Sequence, residues 1–276
     1  MENLIFTGYV FAGSILAGLL GSLTGLGGGV VIVPLLTLVF GVDIRYAIGA
    51  SLISVISTSS GAASAYVKEG YTNIRAGMFL EIATTFGAML GAYLTTVFAP
   101  KLISVVFGII LIYSAYEVRK PVKENLDESK DPLSAKLKMD SDYPTGGGKK
   151  AYHAHHIPAG FGMMFIAGSI SGLLGIGSGA LKVIAMDRIM RLPFKVSTAT
   201  SNFMIGVTAA ASAGIYLAKG YVNAGLAMPV LLGVLLGSVS GARLLPKIHT
   251  NTLRVVFSLL IFALGLEMMY NALLRM

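Results

Sequence analysis

Apolar residues in this chain gather into long runs rather than into the alternating stripes of a soluble fold. Runs cover 4–23, 30–40, 47–67, 76–99 and 102–118, and after a polar interval they resume at 157–174, 180–190, 196–218, 224–245 and 253–274. A run of about 20 residues at ~1.5 Å per residue crosses a hydrocarbon layer ~30 Å thick, so most of these segments are predicted membrane-spanning helices. The runs 30–40 and 180–190 are too short to cross. They are predicted half-helices, entered through the glycine-rich breaks before them. Such a break at membrane depth is tolerated only where it is buried in protein or lines a water-filled cavity.

The second five segments repeat the first at a constant offset of 150 residues, which marks an internal duplication. Gly25, Gly27 and Gly29 correspond to Gly175, Gly177 and Gly179, and Gly70-Tyr71-x-Asn73 corresponds to Gly220-Tyr221-x-Asn223. Ser51 with Ser201, Thr58 with Thr208, Tyr66 with Tyr216, Gly87 with Gly237, Gly91-Ala92 with Gly241-Ala242, and Glu117 with Glu267 keep the same frame. The interval 119–156 carries eight Lys/Arg, several acids, Pro132, Pro144 and Gly146-Gly147-Gly148, the composition of a flexible solvated linker. The expected organisation is a first membrane repeat at 1–118, a cytoplasmic linker at 119–156 and a second repeat at 157–276.

Lys/Arg placement decides how the halves are oriented. With an odd number of crossings per half, counted as five, and a cytoplasmic linker, sixteen Lys/Arg fall inside; Arg45, Lys101, Lys219 and Arg275 fall outside, and Lys182 lies within the membrane region. An even count moves the basic groups at 188–195 and 243–254 outside. The odd count fits better and makes the fold an all-α integral membrane protein, a polytopic helical bundle of two inverted repeats with broken or re-entrant half-helices, both termini extracytoplasmic.

Composition agrees with a bilayer solvent: 55% of residues are hydrophobic and 12% charged, against roughly 25% charged in a soluble domain. The net charge of +8 sits in loops, where it reports membrane orientation and not nucleic-acid binding. Cysteine is absent, which excludes disulfides, thiolate metal sites and a cysteine nucleophile. Met1-Glu2-Asn3 has no positive n-region, so the first run is not expected to be a removable signal peptide. Neither a Walker motif, HExxH nor a Ser/His/Asp arrangement is present, and no cofactor is called for. His153, His155 and His156 lie in the linker without an acidic frame to fix a metal geometry.

Candidate chemistry concentrates at the two breaks. Thr24-Gly25-Leu26-Gly27-Gly28-Gly29 and Leu174-Gly175-Ile176-Gly177-Ser178-Gly179 each open a short helix, where bare N–H groups and a helix dipole favour an anion. Paired broken segments point to a transporter's midplane site, although glycines at these places also permit a kink or tight packing. Lys182, one turn past the second break, either neutralises a bound anion or snorkels to the interface. Ser51, Ser201 and Asn202 either line a polar pathway or serve as packing residues, with Asn202 standing where the first half has Leu52. Glu81 either carries a coupling proton or pairs with Lys68 or Arg75 near its helix end. Glu117 and Glu267 are expected at the interface.

The Gly-x-Gly-Gly-Gly run followed by Val33-Pro34, the second-half Gly-x-Gly-x-Gly, the Gly-Tyr-x-Asn turns and the linker together resemble the sulfite exporter TauE/SafE family of membrane permeases, over nearly the whole chain outside the linker. The resemblance implies a multi-pass cell-membrane protein moving a small sulfur-containing or organic anion such as sulfite, a sulfonate or thiosulfate, coupled to an ion gradient, with a homo-oligomer compatible. The halves differ at Pro34 against Ile184 and at Gly28 against Ser178, so the two half-sites are not expected to be equivalent.

Overall fold

The computed structural model describes residues 2–24, 28–68, 70–119, 131–145, 148–244 and 250–274. Among them, the first half contains α1 (Glu2–Thr24), α2 (Gly29–Pro34) continued by a π-helical turn Leu35–Val39, α3 (Ile44–Lys68), α4 (Ile74–Val97) and α5 (Pro100–Arg119). The second contains α7 (Ile157–Leu174), α8 (Gly179–Ile184) continued by a π-helical turn Ala185–Ile189, α9 (Phe194–Ala218), α10 (Ala224–Leu244) and α11 (Thr250–Leu274). Between them lie α6 (Pro132–Leu137) and the antiparallel hairpin β1 (Ser141–Thr145) and β2 (Gly148–Tyr152). The bounds of α2, its π turn and α3 recur in the second half at the 150-residue offset. The π turn follows Pro34 in one half and Ile184 in the other, so proline is not its cause.

These helices are built for lipid. Along α4, Met78, Ile82, Phe86, Tyr93 and Val97 are exposed, while the opposite face buries Ala76, Gly77, Ala83, Thr84, Gly87, Ala88, Gly91 and Ala92. Large apolar side chains outside and small ones inside is the arrangement expected where hydrocarbon is the solvent and helices meet backbone to backbone. Among the described residues, α4, α5, α7 and α9 are long and apolar enough to cross a membrane, and α1, α10 and α11 contain shorter apolar stretches.

Packing pairs one helix from each half: α1 with α10, α4 with α7, α5 with α11, and α3 with α9. The α4–α7 contact is made by reciprocal Gly-x-x-x-Gly spacings. A Cβ at Gly87 would lie 2.1 Å from the Phe165 carbonyl oxygen and one at Gly91 1.9 Å from that of Ser169; Gly168 and Gly172 stand equally close to Thr84 and Ala88. Gly237 repeats this on α10, 2.0 Å from the Ile15 oxygen.

The short helices do not traverse. The π turn after α8 ends where Met190 O accepts the His155 N–H at 2.9 Å, just before α7 begins. In the first half Phe40, past the π turn, meets Phe6 near the start of α1 with ring centroids 5.6 Å apart. Each short helix therefore folds back toward the end where the helix before it begins, and three further helices follow in each half. One end of the bundle gathers Arg45, Phe98 and Tyr221, and the other gathers Asn73, Thr200 and the linker hairpin.

The interval that composition marks as a solvated linker is ordered over much of its length. Met139, Tyr143, Tyr152 and Ala154 are buried against the base of α4, α7 and the second π turn, and the Asn73 amide donates to Met139 O at 2.7 Å and to the Tyr152 hydroxyl at 2.9 Å. Burial pushes the Tyr152 phenol up to about 12 against the Asn73 bond, so it stays protonated. Sparse apolar anchors among lysines hid this packing; residues 120–130 lie outside the described set. At Asp140, burial works to raise the pKa, but donation from Ser134, His153 and the Ala154 N–H outweighs it and holds the carboxyl below its usual value. A depressed pKa stabilises the fold above the unfolded value of 3.8 and is lost as acid protonates the group. Asp140→Ala is expected to expose the Lys149-Lys150 hairpin edge to trypsin severalfold faster at neutral pH, read by limited proteolysis.

Candidate functional site

The second break lies at the tip of the α7–α8 hairpin, inside the bundle. Gly175, Gly177 and Ser178 carry φ of 67°, 71° and 46°, left-handed values that glycine adopts freely and serine at some cost. Gly28, the counterpart of Ser178, has φ −64°, so the halves differ in backbone as well as in side chain. Gly25 and Gly27 lie outside the described residues.

Several predicted residues converge here. Ser51 donates to Gly175 O at 2.8 Å, and Ser201 donates to Gly179 O at 3.2 Å. Gly29 faces the same spot: a Cβ there would be 2.7 Å from both Gly175 O and Ser51 Oγ. The two hairpin tips thus abut, held by serines from α3 and α9. Asn202 is buried beside Ser201. The break is tightly packed, with Ile48 against Gly175, and Ile205 and Val55 against Gly177. What remains is a crevice of about one water's size, lined by Val30, Ile110, Ser114, Ile176, Ser178, Gly179 and Leu181. The Ser178 hydroxyl is buried there with no hydrogen-bond partner.

One turn further along α8 sits the charge. Lys182 is fully buried and does not snorkel. Its ammonium donates to Thr208 Oγ1 and stands 4.0 Å from Glu81 Oε2; Thr208 donates in turn to Glu81 Oε1 at 2.7 Å, and Thr85 to the same oxygen at 3.2 Å. Glu81 Oε2 has no hydrogen-bond partner. Glu81 is therefore joined to Lys182 through Thr208 and not to Arg75, which is exposed; the Lys68 side chain lies outside the described set. The sequence placed both charges in apolar runs but did not pair them, because they come from different halves. That both stand inside apolar runs was the available signal. At the 150-residue offset Lys182, Glu81 and Thr208 become Ile32, Leu231 and Thr58, so only one of the two pseudo-equivalent positions is charged. Glu117, expected at the interface, pairs with Arg188 at 2.9 Å at the linker end.

A buried ion pair beside a duplicated helix break, inside a lipid-facing bundle, is the equipment of a membrane carrier. The profile of the family "Sulfite exporter TauE/SafE" matches residues 10–268, and the chain belongs to that family. It is similar to the probable membrane transporter protein YunE of Bacillus subtilis (strain 168), 30% identical over 265 residues, 93% of this chain and 95% of that protein. It is also similar to the probable membrane transporter protein MJ0441 of Methanocaldococcus jannaschii, 26% identical over 282 residues, 96% and 94% of the two chains, and to YdhB of Bacillus subtilis, 27% identical over 240 residues, 84% and 89%. No solved structure gives a significant match. The protein is a multi-pass membrane protein of a transporter family.

Proposed function

We propose that this chain carries a small anion, with sulfite, an organosulfonate or thiosulfate first among the candidates, across the cell membrane by alternating access. The observation that carries the reading is the buried Lys182–Thr208–Glu81 cluster one turn from the second glycine break. Lys182 is the cation that receives the anion, with Ser178, Gly179 and the Asn202 amide at hand and Ser51 and Ser201 setting the break. An arriving anion competes with Glu81 for Lys182. Glu81, left as a buried charge without its partner, is then neutralised by a proton, so a proton travels with the anion. The closed packing of the break favours a carrier over an open anion channel, since ions reach Lys182 only after the hairpin tips part.

The inverted orientation of the halves belongs to the same proposal. It rests on three full-length helices plus a hairpin in each half, and on the Lys/Arg excess at the linker end, which makes that end cytoplasmic. Lys182 and Glu81 then lie across a pseudo-two-fold axis from their apolar counterparts Ile32 and Leu231, which gives a single binding position near the bilayer centre.

Thermal unfolding of purified protein against sulfite, thiosulfate, sulfate, sulfoacetate, taurine and lactate tests this. A ligand at about 100 times its Kd stabilises by ~2.7 kcal/mol. Sulfite or an organosulfonate is expected to raise the unfolding temperature of wild type and not of Lys182→Gln; a panel without effect on wild type, or an equal rise in the variant, overturns the site. Gly177→Val and Gly27→Val are expected to abolish flux in proteoliposomes while membrane insertion survives. At Gly177 the valine meets both a left-handed φ and Ile205 at 2.9 Å.

A further inference from the structure

The Gly-Tyr-x-Asn turns are the sequence motif that the binding site leaves unused, and their geometry is duplicated at opposite ends of the bundle. In each turn the glycine is left-handed, with φ of 76° at Gly70 and 74° at Gly220. The asparagine caps the helix that follows: Asn73 Oδ1 accepts from the Ala76 N–H at 3.0 Å and Asn223 Oδ1 from the Leu226 N–H at 3.3 Å. Glycine and asparagine together make the turn, and the tyrosine between them is presented to the other half of the protein.

Each tyrosine lies under a cation of the opposite half. The Arg45 guanidinium stands 5.5 Å from the centroid of the Tyr221 ring, and Lys195 Nζ stands 6.0 Å from that of Tyr71. Arg45 and Lys195 are themselves counterparts at the 150-residue offset, as are Tyr71 and Tyr221. Among the described residues neither cation has a carboxylate in ion-pair range. Arg45 Nε is buried without a hydrogen-bond partner, the rest of its fork reaching only Phe98 O at 2.9 Å, and Lys195 is exposed. Lys195 thus faces a ring, and Arg45 a ring and one carbonyl, with no carboxylate among the described residues to oppose an arriving anion.

Each turn also bears directly on a helix whose serine bonds to the second break, α3 at one end and α9 at the other. Tyr221 O packs against Gly49, where a Cβ would be 2.4 Å away, two positions before Ser51 and its bond to Gly175 O. At the other end the Asn73 N–H donates to Thr200 at 3.0 Å, one position before Ser201 and its bond to Gly179 O. Displacing either turn pulls on a serine that ties the break shut.

We propose that Arg45/Tyr221 and Lys195/Tyr71 are the two gates of the transport path, one at each mouth, and that each opens when its cation leaves the tyrosine for an arriving anion. The gates rest on the transport reading above, but their test does not depend on which anion is carried.

The absence of cysteine makes the test direct. A single Ser114→Cys reporter in the crevice is labelled in sealed vesicles of known orientation with two membrane-impermeant methanethiosulfonates, one bearing a sulfonate and one a quaternary ammonium. In this background Arg45→Gln is expected to raise labelling by the cationic reagent about two- to fivefold from the Arg45 face alone, and to lower the sulfonate-to-ammonium ratio there. Lys195→Gln does the same from the linker face alone. Tyr221→Leu raises the rate from the Arg45 face with the ratio intact, because the cation remains, and Tyr221→Phe, which keeps the ring, matches the reporter protein. One-sided changes in this pattern support the gates even if wild type moves none of the candidate anions, which is how failure of the transport reading is told apart. Equal changes from both faces, or none from either, overturn the gates even where sulfite flux is intact.

Discussion

Lys182→Met is expected to destabilise the protein by about 3–5 kcal/mol, and Lys182→Met combined with Glu81→Leu is expected to recover most of that loss. Removing one member of a buried ion pair leaves the other charge without compensation, whereas replacing both with apolar groups of similar size is often neutral or stabilising. Lys182 is wholly buried and Glu81 nearly so, and Glu81 Oε2 already lacks a hydrogen bond. Without the ammonium, Thr208 and Thr85 alone face the carboxylate. The second half of the expectation is functional: the stable double variant transports nothing, since the receiving cation is gone. Unfolding in detergent separates the outcomes. A single variant as stable as wild type, or a double variant no better than the single, contradicts a paired charge at this depth. At the pseudo-equivalent position nature already has the apolar version, Ile32 and Leu231 beside Thr58, which shows that the bundle accommodates it.

Gly91→Leu is expected to cost about 3 kcal/mol or more, or to yield no folded protein, while Gly162→Leu on the facing helix is close to neutral. The first Cβ would sit 1.9 Å from the Ser169 carbonyl oxygen and 2.8 Å from the Leu173 nitrogen. Both are backbone atoms, with no rotamer by which to yield, so α4 and α7 must part along the seam that positions Glu81 and the second break. At Gly162 nothing lies within 4 Å of the added carbon. Gly237→Leu on α10 should behave like Gly91→Leu, because its Cβ would stand 2.0 Å from Ile15 O. Folded yield and unfolding temperature check all three. Equal behaviour of Gly91→Leu and Gly162→Leu would mean that the helices are not held by backbone contact.

Much of this fold was written in local pattern. The 150-residue repeat is carried by residues that each half needs for the same job: left-handed glycines at Gly70 and Gly220, asparagine caps at Asn73 and Asn223, small residues where helices touch. The short helices were legible because their length fails to cross a bilayer, though not that they fold back to their own end, which depends on contacts such as His155 with Met190. Pairing between halves was not legible. Periodicity reports which face of a helix is buried, and in a chain apolar on all sides even that is weak, so nothing local tells α4 to choose α7. The Lys182–Glu81 contact was hidden for the same reason. The hairpin at 141–152 escaped because its charge and glycine content outvote four buried apolar side chains in a composition window.

The site was legible as a place and not as a mechanism. Ser51, Ser201 and the glycines of the second break lie together, but the serine hydrogen bonds go to carbonyls and close the break. In the proposed mechanism the anion's positive partner is a side chain, Lys182, more than the bare amides that the glycine pattern emphasised.

Sulfite flux into proteoliposomes, recorded together with internal pH, tests the central claim most directly. With wild type, an inward proton gradient should drive sulfite accumulation, internal acid should rise with it, and Lys182→Met/Glu81→Leu should show neither. Sulfite accumulation by that double variant at the wild-type rate would contradict the account.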